Sequence, residues 1–238
     1  MSAHDTVALL ALLQLADSQF PAGGFAHSYG LEQLVRERRI ASAAGVEAFV
    51  RAVIALQAGT SDASAAAAAA RAVAAHDAAA ALALDEALFA TKAADELRRA
   101  STAMGRRVLD EVCAHPAHTA PTLVAFRDAV QRGDTPGTHP VAFGAAGGAF
   151  GVAAEAVAAA LLLGTATAML SAAMRLLPFS HRDVQAALHR LRPDIATLAS
   201  RAADEARASL APGLAAFQPL QEIAAMRHHA APVRLFAS

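Results

Sequence analysis

The chain has 238 residues, of which 55% are hydrophobic and 17% charged, and its formal net charge is −1 at pH 7. This composition excludes a disordered chain, and the near-zero charge argues against a general nucleic-acid binder, which needs excess cations to release counterions. Alanine is abundant while β-branched and aromatic residues are few, so we expect an all-α protein. The length suits one domain over 1–238, and the single Cys113 excludes an internal disulfide.

Apolar periodicity, capping residues and helix breakers predict a globular bundle of about ten helices. The predicted ranges are 6–17, 28–38, 44–58, 61–79, 81–91, 93–114, 120–132, 140–150, 153–177, 181–208 and 219–230. Ser180–Asp183 matches a capping box, and Pro193 should kink or restart the helix around it. The low-complexity stretch Ala65–Ala70 suits an exposed or lightly packed helix.

Small residues concentrate in the middle of the chain. Gly144 with Gly148, and Gly147 with Gly151, form two overlapping pairs of small residues four apart, a spacing that lets helix backbones approach closely. Together with the Ala-rich helix that follows, they predict a tightly packed central helix pair over 140–150 and 153–177.

A membrane span and a secretory signal are the two targeting alternatives. Ala156–Met174 carries no charge and is long enough to span a bilayer, but its many small residues and missing Trp or Tyr flanks favour a buried central helix. No Lys or Arg precedes the first apolar stretch, which argues against a secretory signal. We therefore expect a cytoplasmic protein, with a small membrane protein as the alternative.

Several residue groups could carry chemistry. Ala26–Gly30 resembles a nucleophile elbow around Ser28, but that motif needs a parallel sheet, and a helix start after a Gly-Gly turn explains the residues equally. Cys113, His115 and His118 offer metal ligands without a carboxylate to complete the set, and His228–His229 point to different sides of a helix. We expect no catalytic or metal site, and an unrelated helical enzyme using Ser28 or histidines stays the alternative.

Positive charge clusters on one predicted helix. The cluster consists of Arg98, Arg99, Arg106 and Arg107. It is either a solvated face whose arginines pair with Glu96 and Asp110, or a docking surface for an acidic partner. No phosphate-binding loop accompanies it, so the chain does not bind a nucleotide by that route.

Four stretches and the chain end form an ordered set of motifs. They are Pro21–Glu32, Glu96–Arg106, His139–Gly144 followed by Gly151, Ser171–Pro178, and the tail Arg234–Ser238. Each is short, but their order and their coverage of nearly the whole chain are specific, and together they resemble the urease accessory protein UreF family. The chain departs from the family pattern at His27, at Phe179–His181 and at Ala237.

The resemblance implies an all-α, non-enzymatic maturation factor. Such proteins form homodimers, bind the accessory protein UreD (also called UreH) and recruit the GTPase UreG, and the assembly delivers nickel to apo-urease. Nickel and GTP would belong to that complex, with no cofactor bound stably to this chain. The partner-binding residues that the resemblance implies are Pro21, Gly23, Gly24, Phe25, Ser28, Arg175, Arg234, Leu235, Phe236 and Ser238.

The chain end over 232–238 is predicted to be a flexible partner-binding tail. Leu235 and Phe236 would anchor it on UreD, and Arg234 would bind a carboxylate there. The alternative is a tail that folds back and buries Leu235 and Phe236 on its own domain.

Overall fold

The computed structural model describes residues 2–24, 27–115 and 120–237, and within them the chain is helical without a β-strand. This confirms the all-α prediction. The helices are α1 (Ala3–Ala16), α2 (Leu31–Arg36), α3 (Ala43–Val53), α4 (Ala63–Ala74), α5 (Ala78–Thr91), α6 (Asp95–Cys113), α7 (Pro121–Arg132), α8 (His139–Ala149), α9 (Ala154–Leu176), α10 (His181–Ala208) and α11 (Pro219–His229).

The predicted helices 44–58 and 61–79 are joined into one continuous element, which ends at Ala74, and residues 78 and 79 belong to α5. A π-helical segment, Ile54–Asp62, joins α3 to α4 without a break. Gly59 lies in this segment, and a Cβ there would meet the side chain of Leu198 at 2.9 Å. The glycine therefore allows α10 to lie directly against the wide turn.

The closest helix contact is between α4 and α8. A Cβ on Gly144 would lie 2.2 Å from the carbonyl oxygen of Ala66, and one on Gly148 would lie 2.4 Å from that of Ala70. Ala65–Ala70 are accordingly buried, and the prediction of an exposed or lightly packed helix there is wrong. Small side chains had suggested weak packing, whereas here they allow two backbones to touch.

Helix α9 runs through the interior beside α4 and α8. Gly147 faces it, because a Cβ there would meet Val157 at 2.5 Å, so the predicted contact between 140–150 and 153–177 is present. Ala154–Leu176 is the one helix in the described part of the chain that is long and apolar enough to cross a membrane. Half of its most apolar 18-residue stretch is buried inside the protein. Its packing is that of a core helix.

Polar side chains fix several helix ends. Ser180 and Asp183 form the predicted capping box at the start of α10, and Pro193 lies inside that helix without ending it. Asp85 is fully buried in α5. Its carboxylate accepts hydrogen bonds from the Thr135 hydroxyl, the Gly137 amide and both the amide and hydroxyl of Thr138. One carboxylate thus holds the loop that leads into α8.

Candidate functional site

Three helices bring two carboxylates and an imidazole together inside the protein. Glu32 comes from α2, Glu96 from α6 and His228 from α11, and the imidazole of His228 has no solvent exposure. His228 Nε2 lies 2.9 Å from Glu32 Oε2, and His228 Nδ1 lies 2.9 Å from Glu96 Oε1. We call these three residues the carboxylate–histidine cluster.

Local structure determines where each member lies. Gly30 adopts a left-handed conformation with φ of 85° just before α2, and the hydroxyl of buried Ser28 accepts a hydrogen bond from the Glu32 amide at 3.3 Å. Both glutamates lie in the first turn of their helices, where the helix dipole favours negative charge, and His228 lies in the last turn of α11. Three helix ends therefore meet with complementary groups.

The cluster holds the C-terminal tail. The Leu235 amide donates to Glu32 Oε1 at 3.0 Å and the Phe236 amide donates to Glu32 Oε2 at 3.1 Å. The Arg234 guanidinium donates to Glu96 Oε1 at 3.3 Å. The side chain of Phe236 is buried, and the Arg175 guanidinium stacks over its ring at 4.7 Å, within the range of a cation–π contact.

The environment of Glu32 favours its ionised form. Burial acts to raise the pKa of this carboxyl, but hydrogen bonds from the Leu235 amide, from His228 and from the Phe236 amide outweigh it and hold the pKa below its usual value. Arg36 adds a further donor at 3.0 Å and also binds the Val233 carbonyl at 2.5 Å. The carboxylate of Glu32 is therefore the point where the tail, α2 and α11 are joined.

The structure brings together only some of the predicted partner-binding residues. Arg175, Arg234 and Phe236 meet at the docked tail, whereas Leu235 is 56% exposed. Folding back of the tail thus accounts for Phe236 and leaves Leu235 available. The prediction that the tail binds a partner stays a prediction.

The remaining predicted residues lie in the N-terminal loop or outside the described residues. Gly23 adopts a left-handed conformation with φ of 83°, and a Cβ there would overlap the Arg107 guanidinium. Pro21 and Gly24 lie in the same loop. Phe25 and Ser238 lie outside the described residues.

Sequence reasoning missed the carboxylate–histidine cluster. Glu32 closes one of the motifs that carry the family resemblance and Glu96 opens another, and one of the two interpretations of the arginine cluster pairs Glu96 with arginines of its own helix. The structure buries Glu96 against His228, while Arg99 pairs with Asp95, so that pairing of Glu96 is wrong. The signal that could have found the cluster is a pair of glutamates in first helical turns together with a histidine in a last turn.

A second buried polar group lies between the π-helical segment, α6 and α8. Lys92 Nζ binds Asp62 Oδ1 at 2.7 Å beside a cavity of about 30 Å³. Burial lowers the pKa of His139, which lines this cavity, to about 4. The carboxamide oxygens of Gln57 and Gln221, which also line it, have no hydrogen-bond partner among protein atoms.

The metal alternatives find no support in the residues that the structure covers. Within 2–24, 27–115 and 120–237 no group of three or more His, Cys, Asp or Glu is arranged to hold a metal ion. Cys113 is half-buried and free, and burial raises the pKa of its thiol. His118 lies outside the described residues.

A separate apolar surface lies near the N-terminus of the chain. Helix α1 exposes four large apolar side chains, and α9 exposes Leu163 near them. The four are Val7, Leu9, Leu10 and Leu13. An open cavity of about 270 Å³ lies between α1 and α9, lined by Leu13, Leu163 and Gly164 among others. We call this the α1/α9 face.

Comparison with known proteins gives a consistent match. The family model UreF matches residues 40–192. A protein of Cereibacter sphaeroides named urease accessory protein UreF is 34% identical over 231 residues, covering 97% of this chain and 99% of the relative. Proteins with the same name from Photorhabdus laumondii and Yersinia pestis are 32% and 30% identical over 231 and 238 residues, respectively, with coverage of at least 97% of each chain.

Proposed function

Because this chain belongs to the UreF family of urease accessory proteins, we propose that it is a cytoplasmic scaffold for the maturation of urease. The relatives are named accessory proteins, and the chain is likewise an accessory protein and not an enzyme. In the proposed role it binds UreD (UreH) and recruits the GTPase UreG, and the assembly inserts nickel into apo-urease with GTP hydrolysis. Nickel is then cargo of the complex, and no cofactor is bound stably to this chain.

One observation supports docking through the C-terminal region. The docked tail presents the exposed side chains of Val233 and Leu235, and α11 exposes Ile223 and Met226, three residues apart on one helix face. Buried Phe236 fixes the backbone that carries Val233 and Leu235. Exposed apolar side chains on an ordered backbone are typical of a protein-binding surface, and we propose that UreD binds here.

The α1/α9 face supports the homodimer. Its leucines are exposed in one copy of the chain, and association of two copies would remove them from water. We propose that two copies associate through this face, which leaves the tails free for UreD.

A binding experiment with two matched variants tests the role of the tail. Deleting 233–238 removes the apolar anchor and should abolish capture of purified UreD, while Leu235→Ser should weaken capture by at least tenfold, since burying a leucine contributes about 1.5–3 kcal/mol. Leu56→Ser removes a similarly exposed leucine outside both the tail and the α1/α9 face and should leave capture unchanged. Urease activation in a strain lacking its own accessory protein of this family should follow the same order.

Two outcomes would contradict docking of UreD on the tail. If the truncated chain captures UreD with near-normal affinity, the tail does not form the interface. If Leu56→Ser and Leu235→Ser weaken capture equally, the effect lies in general stability and not in the docking surface. Light scattering of Leu10→Ser should show a smaller mass than that of the unmodified chain if the α1/α9 face joins two copies.

A further inference from the structure

We propose that the buried cavity lined by Gln57, Gln221 and Lys92 is a binding site for about two water molecules, which join the π-helical segment to α11. The proposal concerns the isolated chain and does not depend on the identity of any partner. It rests on two buried carboxamide oxygens without protein partners, on the size of the cavity and on the charges that line it.

Two carboxamide groups on different elements indicate a hydrogen-bond donor in the cavity. Gln57 lies in the π-helical segment and Gln221 in the first turn of α11, and they are only 4% and 1% exposed. The side-chain oxygen of each is buried and accepts no hydrogen bond from a protein group in the described part of the chain. Because a buried acceptor without a partner is costly to folding, two such oxygens on one cavity indicate a donor that they share.

The cavity has the size for water. It measures about 30 Å³, and a buried water needs about 10–15 Å³ of such space, so the cavity takes about two. Water both donates and accepts hydrogen bonds, and it therefore satisfies a carboxamide group in either orientation of the amide. A larger organic molecule would have to displace the lining side chains from a closely packed interior.

The charges around the cavity favour a neutral ligand over an ion. Lys92 is 5% exposed and its ammonium binds Asp62 at 2.7 Å, so these two charges balance each other. Asp62 is the one carboxylate among the described residues that line the cavity, and a further cation would lie beside Lys92 without a counter-charge. An anion would face the carboxamide oxygens. The ammonium has three N–H donors, of which Asp62 takes one, so Lys92 can also donate to water.

Backbone contacts already bring the two glutamine-bearing elements together. The Phe217 amide donates to the Leu56 carbonyl at 3.0 Å, and the Ala215 amide donates to the Thr60 carbonyl at 3.2 Å. The residues that lead into α11 are thus bound along the π-helical segment. The water site continues this contact into the interior and fixes the first turn of α11, whereas the carboxylate–histidine cluster fixes the last turn.

A high-resolution crystal structure of the full chain tests the site directly. Two ordered water molecules should lie in the cavity, at about 2.7–3.2 Å from the side-chain oxygens of Gln57 and Gln221 or from Lys92 Nζ. Replacing potassium by thallium in the crystal should give no anomalous signal at these positions. A thallium peak or an organic molecule in the cavity overturns the proposal, and so do carboxamides that turn onto protein groups without water between them.

Substitution of either glutamine by methionine tests the same site through stability. Methionine has a similar length, and Gln57→Met removes an oxygen that has no protein partner. If water binds this oxygen, the substitution removes a hydrogen bond and should lower the folding equilibrium constant, measured by urea titration, about fivefold. Gln221→Met should do the same. The double variant should lose less than the product of the two single losses, since the same waters serve both groups.

Leu97→Met is the matched control, because Leu97 lines the same cavity and its substitution removes no polar group. It should lower the folding equilibrium constant by less than either glutamine substitution. An equal loss in Leu97→Met would assign the effect to packing and contradict the water bridge. An unchanged or higher folding equilibrium constant in both glutamine variants also overturns the proposal, because removing an unpaired oxygen from a dry cavity is neutral or favourable.

Discussion

Placing one methyl group at the contact between α4 and α8 should destabilise the protein measurably. In Gly144→Ala the new Cβ would lie 2.2 Å from the Ala66 carbonyl oxygen and 2.7 Å from Ala66 Cα. Carbon atoms pack at about 3.5–4.0 Å, so the two helices must separate by roughly 1 Å. The obstacle is backbone, which has no rotamer to change, and this places the substitution near the upper end of the ~1–3 kcal/mol cost of overpacking.

The net effect follows from subtracting the intrinsic preference of alanine for helix. That preference returns up to about 1 kcal/mol, which leaves a loss of about 2 kcal/mol and a Tm lower by about 4–8 °C for a chain of this length. Gly164→Ala in α9 is the matched control, because a Cβ there meets nothing within 4 Å. It should gain the helix preference alone and raise Tm by about 2–4 °C.

Thermal unfolding followed by circular dichroism distinguishes the two variants. If Gly144→Ala is as stable as Gly164→Ala, the α4–α8 contact is not as close as the structure places it, and the packing argument fails. Gly147→Ala should fall between them, since its Cβ would meet the Val157 side chain at 2.5 Å, and a side chain can move.

Three other expectations concern buried polar groups and the N-terminal loop. Asp85→Ala leaves four buried hydrogen-bond donors without their acceptor. The substitution should lower the free energy of unfolding, measured by urea titration, by about 3 kcal/mol. A loss below ~1 kcal/mol would show that water replaces the carboxylate. Burial lowers the pKa of both His27 and His139 to about 4, and the charge of Arg107 adds to the effect at His27. The unfolded chain therefore binds more protons below about pH 6.5, and stability should fall by up to ~1.4 kcal/mol per pH unit for each histidine as pH drops toward 4; a flat profile contradicts this. Gly23→Val forces a β-branched residue into φ of 83° and against Arg107, and a cost of about 1–3 kcal/mol should appear as a lower Tm.

The helices and the family could be predicted from the sequence because both depend on local or ordered patterns. Ser180 and Asp183 define the start of α10 through contacts three residues apart, and the motifs of the family occur in order along the chain. The glycine spacing at Gly144 and Gly148 likewise predicted close helix packing. These features need no knowledge of which helices become neighbours.

What only the tertiary structure decided is the pairing between distant segments. Glycine spacing indicates that a helix can approach a neighbour closely, but α4 as that neighbour of α8 follows from how the whole bundle fills space. The carboxylate–histidine cluster joins residues up to 196 positions apart in the chain. No periodicity relates Glu32, Glu96 and His228, because a buried charged group selects its partner by three-dimensional proximity, and that proximity exists only once three helix ends have been packed together.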